Sequence, residues 1–302
     1  MGGIGIIIVT YNSGDEIGAC LDAALASGAE TVVVDNASRD NTIAEVSRRS
    51  VRLIANKGNR SFAAAVNQGF AVLNSGYVLL LNPDAVIQTS LEPLREACDL
   101  PGSAGAGGQL VDRAGRQQAG FMIRRLPTPA ALILEVLLLN RLWPRNPINR
   151  RYRCLDWDGS SQSSVEQPAG AFLMVRRPVW EELGGFDEQF FPLWFEDVDF
   201  CCRIRDRGLS LRYVPEAVAK HTGGHSISQL GLELKLDYWY RSLLRYSAKH
   251  FGPLAFRAVC LAVVTGCILR GIAESAMHRS FKPIAAYGKV AIHAGRSLLS
   301  KS

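Results

Sequence analysis

The stretch "YVLLLNPDAVI" (Tyr77–Ile87) opens as an apolar run and stops on Asn82-Pro83-Asp84. Asn-Pro-Asp is a good turn, so one reading of Asp84 is a turn residue and nothing more. The run before it does not alternate, which is the mark of a strand buried on both faces. In open α/β sheets, ligands gather at the carboxyl ends of such strands. The pattern repeats outward. Ile4–Val9, Thr31–Asp35 and Val51–Ala55 read as further buried strands. "DEIGACLDAALAS", "NTIAEVSRR" and "SFAAAVNQGFAVL" read as the helices between them. Alternation of this kind predicts right-handed βαβ units, and so an α/β fold with a mostly parallel sheet flanked by helices.

Composition sets the bounds. Of 302 residues, 48% are hydrophobic, enough for a full core and too many for global disorder. Lys and Arg outnumber Asp and Glu by 34 to 28. The seven cysteines are odd in number, scattered and without a CxxC pair. Neither a zinc site nor a disulfide framework is expected, and a reducing cytoplasm fits best. "MGGIGIIIVTYNSG" has no basic n-region, too short an apolar run for a signal peptide, and no myristoylation pattern.

Beyond Asp84 the pattern loosens. "SLEPLREACDL" reads as a helix, "GAGGQLV", "QAGFMIR" and "EQPAGAFLMVRR" as strands, and a helix starts at about Glu196. "LRYVPEAVAKH" is extended and ends on His221. Arg124–Arg153 carries seven arginines and the single acid Glu135 around an apolar core, Ala130–Leu139. The last seventy residues read as helices at Leu230–His250 and Leu254–Ala276, with a basic tail to Ser302.

The strand ends carry the polar side chains: Thr10-Tyr11-Asn12-Ser13, Asp35-Asn36 and Asn82-Pro83-Asp84. Parallel strands bring these to one edge of the sheet. There they offer amides and a carboxylate for a base and ribose, a ring for stacking, and Asp84 for a metal. No G-x-G-x-x-G lies between strand and helix, and no P-loop is present. The charge of a nucleotide diphosphate is then best met by a divalent ion on oxygen ligands.

Six segments in this order carry a resemblance: "IIIVTYNSGDEIGACLDAAL", "VVVDNASRDNT", "NRSFAAAVNQG", "LLLNPDA", "GAFLMVRRPVWEELGGFDEQFF" and "WFEDVDFCCRIRDRG". From Ile4 to Ser226 the chain resembles the family 2 glycosyltransferases of the GT-A fold, in the branch that includes bacterial rhamnosyltransferases. The resemblance implies a Rossmann-like GT-A domain over 1–226, with a nucleotide half to about 100 and an acceptor half from 101. A C-terminal helical appendage would follow over 227–302. It implies that Thr10, Tyr11, Asn12, Asp35 and Asn36 hold the nucleotide, helped by Asn59, Arg60, Asn67 and Asn82. Asp84, in the place of the D-x-D metal motif, and His221 would hold Mg2+ or Mn2+. Asp197 matches the catalytic base, with Gly170, Ala171, Trp194 and Glu196 around the acceptor. Where the family shows N-x-G-F, this chain has Asn59-Arg60-Ser61-Phe62, which removes a residue suited to positive φ and leaves Arg60 free to reach the diphosphate.

The implied activity is metal-dependent, inverting transfer of a sugar, rhamnose by resemblance, from a nucleoside-diphosphate sugar such as dTDP-rhamnose. The acceptor would be a saccharide or lipid-linked glycan of the cell envelope. The alternative is a degenerate, non-catalytic nucleotide- or lipid-binding partner. Plainer readings stand beside each residue. Asp35-Asn36 could be a helix N-cap, and Glu196, Asp197 and Asp199 could merely favour a helix N-terminus. His221 competes with His225, and Cys201-Cys202 read as core packing. No run reaches the ~20 apolar residues needed to span a bilayer. Ala258–Leu269, between Arg257 and Arg270, is either a buried helix or one lying in the headgroup plane. With the basic stretch Arg124–Arg153, it points to an anionic membrane surface, and so to a peripheral place on the inner face of the cytoplasmic membrane. No nucleic-acid recognition motif accompanies that stretch.

Overall fold

The computed structural model describes residues 2–223 and 230–299. The chain divides into two compact units. The first comprises Met1–Leu126, Trp157–Pro192 and Glu196–Ser228; the second comprises Pro127–Asp156, Leu193–Phe195 and Gln229–Ser302. The expected boundary near 226 and the competitor His225 lie outside the described residues. The stretch 127–156 goes with the C-terminal helices and not with the sheet.

The first unit is built on a nine-stranded sheet. Its first half is β1 (Ile4–Thr10), α1 (Ile17–Ala26), β2 (Glu30–Asp35), α2 (Thr42–Ser47), β3 (Arg52–Ala55), α3 (Phe62–Val72) and β4 (Tyr77–Leu81). β3, β2, β1 and β4 lie side by side in parallel, and Ile6, Ile7, Ile8, Val32, Val33, Leu79 and Leu80 bury completely between helix layers. Gly69 of α3 lets the helix close on β1: a Cβ there would stand 2.7 Å from Ile7.

The second half of the sheet is mixed, where a mostly parallel one was expected. After β5 (Ala85–Ile87) and α4 (Glu92–Cys98) come β6 (Ser103–Val111) and the short β7 (Ile123–Arg124). Later follow β8 (Ser163–Val165), β9 (Gln167–Pro168), β10 (Phe172–Arg176), α8 (Arg177–Leu183), α9 (Glu196–Asp206) and β11 (Ser210–His221). The order continues from β4 to β10, β6, β11 and β5. β10 runs antiparallel to β4 and to β6, and β5 and β8 run antiparallel to β11. Two pairings bring candidate site residues together. Phe172 lies opposite Leu81, so the start of β10 meets the end of β4. His221 lies opposite Ala85, so the end of β11 meets the turn after β4.

The second unit holds α5 (Pro129–Val136), α6 (Leu139–Leu142), α7 (Pro147–Tyr152), α10 (Leu232–His250), α11 (Pro253–His278) and α12 (Lys282–Leu299). The expected basic tail is thus mostly helix. Thr128 caps α5 by accepting from Ala131 N. Arg270 Nη2 on α11 donates to Glu135 O and Val136 O, which satisfies orphan carbonyls at the other end of α5. Gly266 allows this approach, since a Cβ there would lie 2.3 Å from Val136 O.

β6 is rich in glycine because its neighbours close over it. A Cβ on Gly108 would meet the Phe172 ring at 2.3 Å and the Ala217 carbonyl at 2.5 Å. Backbone cannot step aside as a side chain can, so Gly108→Ala is expected to lower unfolding free energy by ~1–3 kcal/mol. Chemical denaturation of the two proteins measures it.

Candidate active site

At the ends of β1 and β2 the polar residues bond to one another. Thr10 Oγ1 donates to Asp35 Oδ1 at 2.8 Å, and Ser38 N to Asp35 Oδ2 at 2.9 Å. Asp35 is fully buried and closes the turn after β2; α2 starts later, with Asn41 at its N-cap, so Asp35 does not cap it. Asn36 Nδ2 donates to Ser61 O, while its Oδ1 accepts from Asn56 Nδ2 and Arg60 N. Asn12, at φ 50°, accepts from Arg39 N. Tyr11 is half-buried, and Asn59 and Arg60 are exposed. Ser61 holds φ 88°, ψ 160°, the conformation that the absent glycine would take without strain, and its hydroxyl caps α3 by accepting from Ala64 N. Asn67 stands apart from this group. Its amide is occupied by Phe186 N, Phe186 O and Glu188 Oε1.

The Asn82–Asp84 turn meets the end of β11. Thr222 N donates to Asp84 O at 3.1 Å and Gly223 N to Asp84 Oδ2 at 2.8 Å. Asp84 Oδ1 faces His221 Nε2 at 3.4 Å, and Asn82 Nδ2 lies 3.4 Å from the same nitrogen. Gln118 sets the imidazole. Its Nε2 donates to His221 O at 2.8 Å, so its Oε1, 2.9 Å from Nδ1, must accept from an Nδ1–H. Nε2 then either carries a second proton toward the Asp84 carboxylate or faces it with a lone pair that a cation between them would satisfy. Donors 3.4 Å apart can share one ion at ~2.1 Å from each. The residues therefore fit a divalent metal, with the outer-sphere partner that ligating histidines usually have. Among the described residues no group of three or more His, Cys, Asp or Glu is arranged to hold a metal. Burial raises the Asp84 carboxyl, but His221 and the Gly223 N–H outweigh it, so the net shift is downward.

Asp197 lies at the same edge. Asn82 N donates to Ala171 O at 3.0 Å, and one residue earlier Gly170 N points at Asp197 Oδ2 from 3.4 Å. A Cβ on Gly170 would lie 3.3 Å from that oxygen, so the approach suits glycine. Val198 N donates to Asp197 Oδ1 at 2.8 Å. Burial raises the Asp197 carboxyl above the ordinary range, against the opposing pull of these two N–H groups and the Arg124 charge. The third acid, Asp199, is fully buried and paired with Arg203, which also binds Leu183 O and Gly185 O; its role is structural. Trp194 and Phe195 sit at φ 76° and 69° and belong to the second unit, where Phe195 packs on Tyr246. Phe195 is buried, and Trp194 is half-exposed.

Three residues of the site gave no distinct signal in the sequence. Gln118 orients His221. Phe121 stacks on His221 with ring centres 5.3 Å apart. Arg124, first grouped with the membrane-facing arginines, belongs to the first unit, lies over the Phe121 ring and is felt by Asp197. Amides and arginines are too common for their identity alone to mark such positions.

Glu196 is 6% exposed, and its Oε2 has no hydrogen-bond partner. Burial, then the neighbouring Asp197 charge, raises its carboxyl well above the ordinary value. A folded-state value above the unfolded one means that stability falls as pH rises through that window. Glu196→Gln removes the titration. Its melting temperature should equal the parent's at pH 4 and exceed it at pH 7 by ~2–4 °C or more, the shift that ~1 kcal/mol gives in a domain of this size. Calorimetry at the two pH values measures this.

Comparison with known proteins bears on the family and the fold. The chain is 29% identical to N-acetylglucosaminyl-diphospho-decaprenol L-rhamnosyltransferase of Mycobacterium tuberculosis, over 84% of this chain and 91% of that one. It is 26% identical to the low-salt glycan biosynthesis hexosyltransferase Agl10 of Haloferax volcanii, over 90% and 85%. It is 25% identical to rhamnosyltransferase WbbL of Escherichia coli, over 63% and 69%. Among solved structures it resembles the mannosyltransferase PcManGT of Pyrobaculum calidifontis in complex with GDP-Man and Mn2+. That match has a TM-score of 0.54 at 18% identity and covers 99% of this chain and 87% of that one. GalNAc-T7 with UDP, GalNAc and Mn2+ matches at TM-score 0.53 and 14% identity, over 74% of this chain and 44% of that one. The fold is that of the GT-A glycosyltransferases. Residues 5–160, just over half the chain, match the family described as Glycosyl transferase family 2, and the chain belongs to that family.

Proposed function

We propose that the protein transfers rhamnose from dTDP-rhamnose, with inversion, to a lipid-linked saccharide acceptor on the inner face of the cytoplasmic membrane. The observation that carries this is the pair of contacts around Ala171. They bring an Asp84–His221 pair and an Asp197 carboxylate to one edge of one sheet. The named relatives supply the choice of rhamnose and of a diphospho-lipid acceptor.

Each residue has a task. Asp35, Asn36, Asn12 and Tyr11 form the nucleotide end, with Arg60 exposed beside it. Asp84 and His221 would hold Mg2+ or Mn2+, which supplies Lewis-acid stabilisation of the leaving diphosphate. Asp197 accepts the proton of the attacking acceptor hydroxyl, its carboxylate held by Gly170 N and Val198 N. Its raised value makes it a stronger base than an exposed aspartate. Glu196, its neighbour in the chain, stands on the acceptor side. One displacement needs no enzyme nucleophile. The degenerate, binding-only alternative rested on Asn82 and Ser61. Ser61 keeps the loop conformation, and Asn82 keeps an amide at the metal pair, so neither favours it.

Asp197→Asn keeps the shape and removes the basicity. It should cut turnover ~10²-fold or more while leaving donor affinity nearly unchanged. The parent's kcat should rise with pH through a value above the usual carboxylate range, and the residual activity of Asp197→Asn should lack that limb. Asp84→Ala should lose turnover together with Mn2+-dependent thermal stabilisation by dTDP. Near-normal turnover in Asp197→Asn, or undiminished Mn2+ and dTDP binding in Asp84→Ala, would each remove the corresponding assignment.

A further inference from the structure

The basic excess of the chain is not shared between its units. The second unit carries sixteen Lys and Arg against five Asp and Glu, net +11; the first carries eighteen against twenty-three, net −5. The apolar surface is concentrated in the same basic unit. On α11, Leu254, Leu261, Ile268, Leu269 and Ile272 are between 51 and 81% exposed. At 100° per residue they fall within an arc of ~100°, completed by Ala258 and Thr265, and run ~27 Å along the helix. Arg257 lies at the margin of that arc, and the acid of this helix, Glu274, lies on the other side, bonded to Tyr287. The opposite face of α11 is buried: Val259, Cys260, Val263 and Cys267.

Two further features belong to this unit. The end of α6 and the turn after it expose Leu142 at 81% and Trp143 at 63%, between exposed Arg141 and Arg145. The α11–α12 turn exposes Phe281 at 85%, between exposed Arg279 and Lys282. Apolar tips set among arginines and lysines suit an interface where the ring enters the acyl boundary and the cation meets a headgroup phosphate.

We infer that α11 lies flat in the headgroup plane of an anionic bilayer, exposed stripe inward, with Leu142-Trp143 and Phe281 as flanking anchors. This deepens the acceptor reading above by naming the surface that meets the lipid, but it stands on surface chemistry and its test needs no turnover. Two other occupants fit less well. α11 is long and apolar enough to cross a membrane by length and composition, a length that the twelve-residue core read from sequence did not suggest. Spanning would strip its buried face from α5 and α12 and carry Arg270 away from the α5 carbonyls it caps. A second copy would bring two units of net +11 together, a repulsion that an anionic surface converts into attraction.

The experiment is co-sedimentation of the full chain with vesicles of phosphatidylcholine alone or mixed with phosphatidylglycerol, without donor or acceptor. The parent should bind the mixed vesicles at least tenfold more tightly than the neutral ones. Leu261→Glu/Ile272→Glu and, separately, Arg141→Glu/Arg145→Glu should each weaken binding at least tenfold. All four side chains are exposed, so melting temperatures should stay at the parent's value. A parent that remains in the supernatant with mixed vesicles overturns the inference, as does a Leu261→Glu/Ile272→Glu variant that binds unchanged. Sedimentation velocity gives the third outcome: a parent dimer dispersed by Leu261→Glu/Ile272→Glu means that a second copy covers the stripe and the inference fails. Vesicle binding by an inactive enzyme would leave the surface assigned and count only against the transferase reading.

Discussion

The hydrogen bond from Asn82 N to Ala171 O closes the gap between the two halves of the site. It continues the antiparallel pairing of β10 on β4, in which Phe172 faces Leu81. Because β10 runs against β4, the loop that enters β10 arrives at the edge where β4 leaves. Were β10 parallel, Ala169–Ala171 would begin at the far end of the sheet, and Gly170 would have no route to Asp197. The strand direction thus decides whether the turn after β4 and a carboxylate more than a hundred residues later come to the same edge. β5 does the same for His221. It is only three residues long, but its register with β11 sets Asp84 opposite Thr222, and the histidine follows.

The first half of the fold was legible because a parallel strand buried on both faces leaves a continuous apolar run. Ile4–Thr10, Glu30–Asp35 and Tyr77–Leu81 are such runs, and helical periodicity fills the spaces between them. Strand direction in the second half was not legible. "AFLMVR" has the same composition whether it runs with β4 or against it, and the decision is made by non-local pairing with Gly105–Gly107. The unit boundary was hidden for a similar reason. The apolar face of Pro129–Val136 states that something must cover it, and only the fold reveals that α11 does. In the candidate site, the residues named from the sequence were those that the resemblance marks, Gly170 among them. Gln118, which sets His221 through its side-chain amide, was not, because an amide has no identity that marks it as an orienting group.

Local strain collects at a few residues near the candidate site residues in the chain. Ser61 holds a conformation normally left to glycine, and Trp194 and Phe195 are consecutive left-handed residues just before Asp197. Each such residue costs ~1–3 kcal/mol and persists only when its surroundings over-determine it. For Ser61 the surroundings are visible: Asn59 Oδ1 on its N–H, Asn36 Nδ2 on its carbonyl and Ala64 N on its hydroxyl. For Phe195 they are a buried ring against Tyr246 and the start of α9 one residue later. The Asp197 carboxylate is itself fixed by Gly170 N and Val198 N.

The neighbouring acids divide the work by environment. Asp199 is buried too, yet Arg203 compensates it, and it serves packing. Asp197 keeps two backbone N–H partners and the reach of Arg124, which hold its rise in check while burial keeps it basic. Glu196 has an unpartnered oxygen in a buried site, so ionising it beside an ionised Asp197 is doubly unfavourable. The cheaper arrangement leaves the proton on Glu196 and the charge on Asp197. A neutral Glu196 also adds no second negative charge beside Asp197. The same carboxyl that weakens the fold at neutral pH thereby leaves the charge to Asp197, the group proposed above as the base.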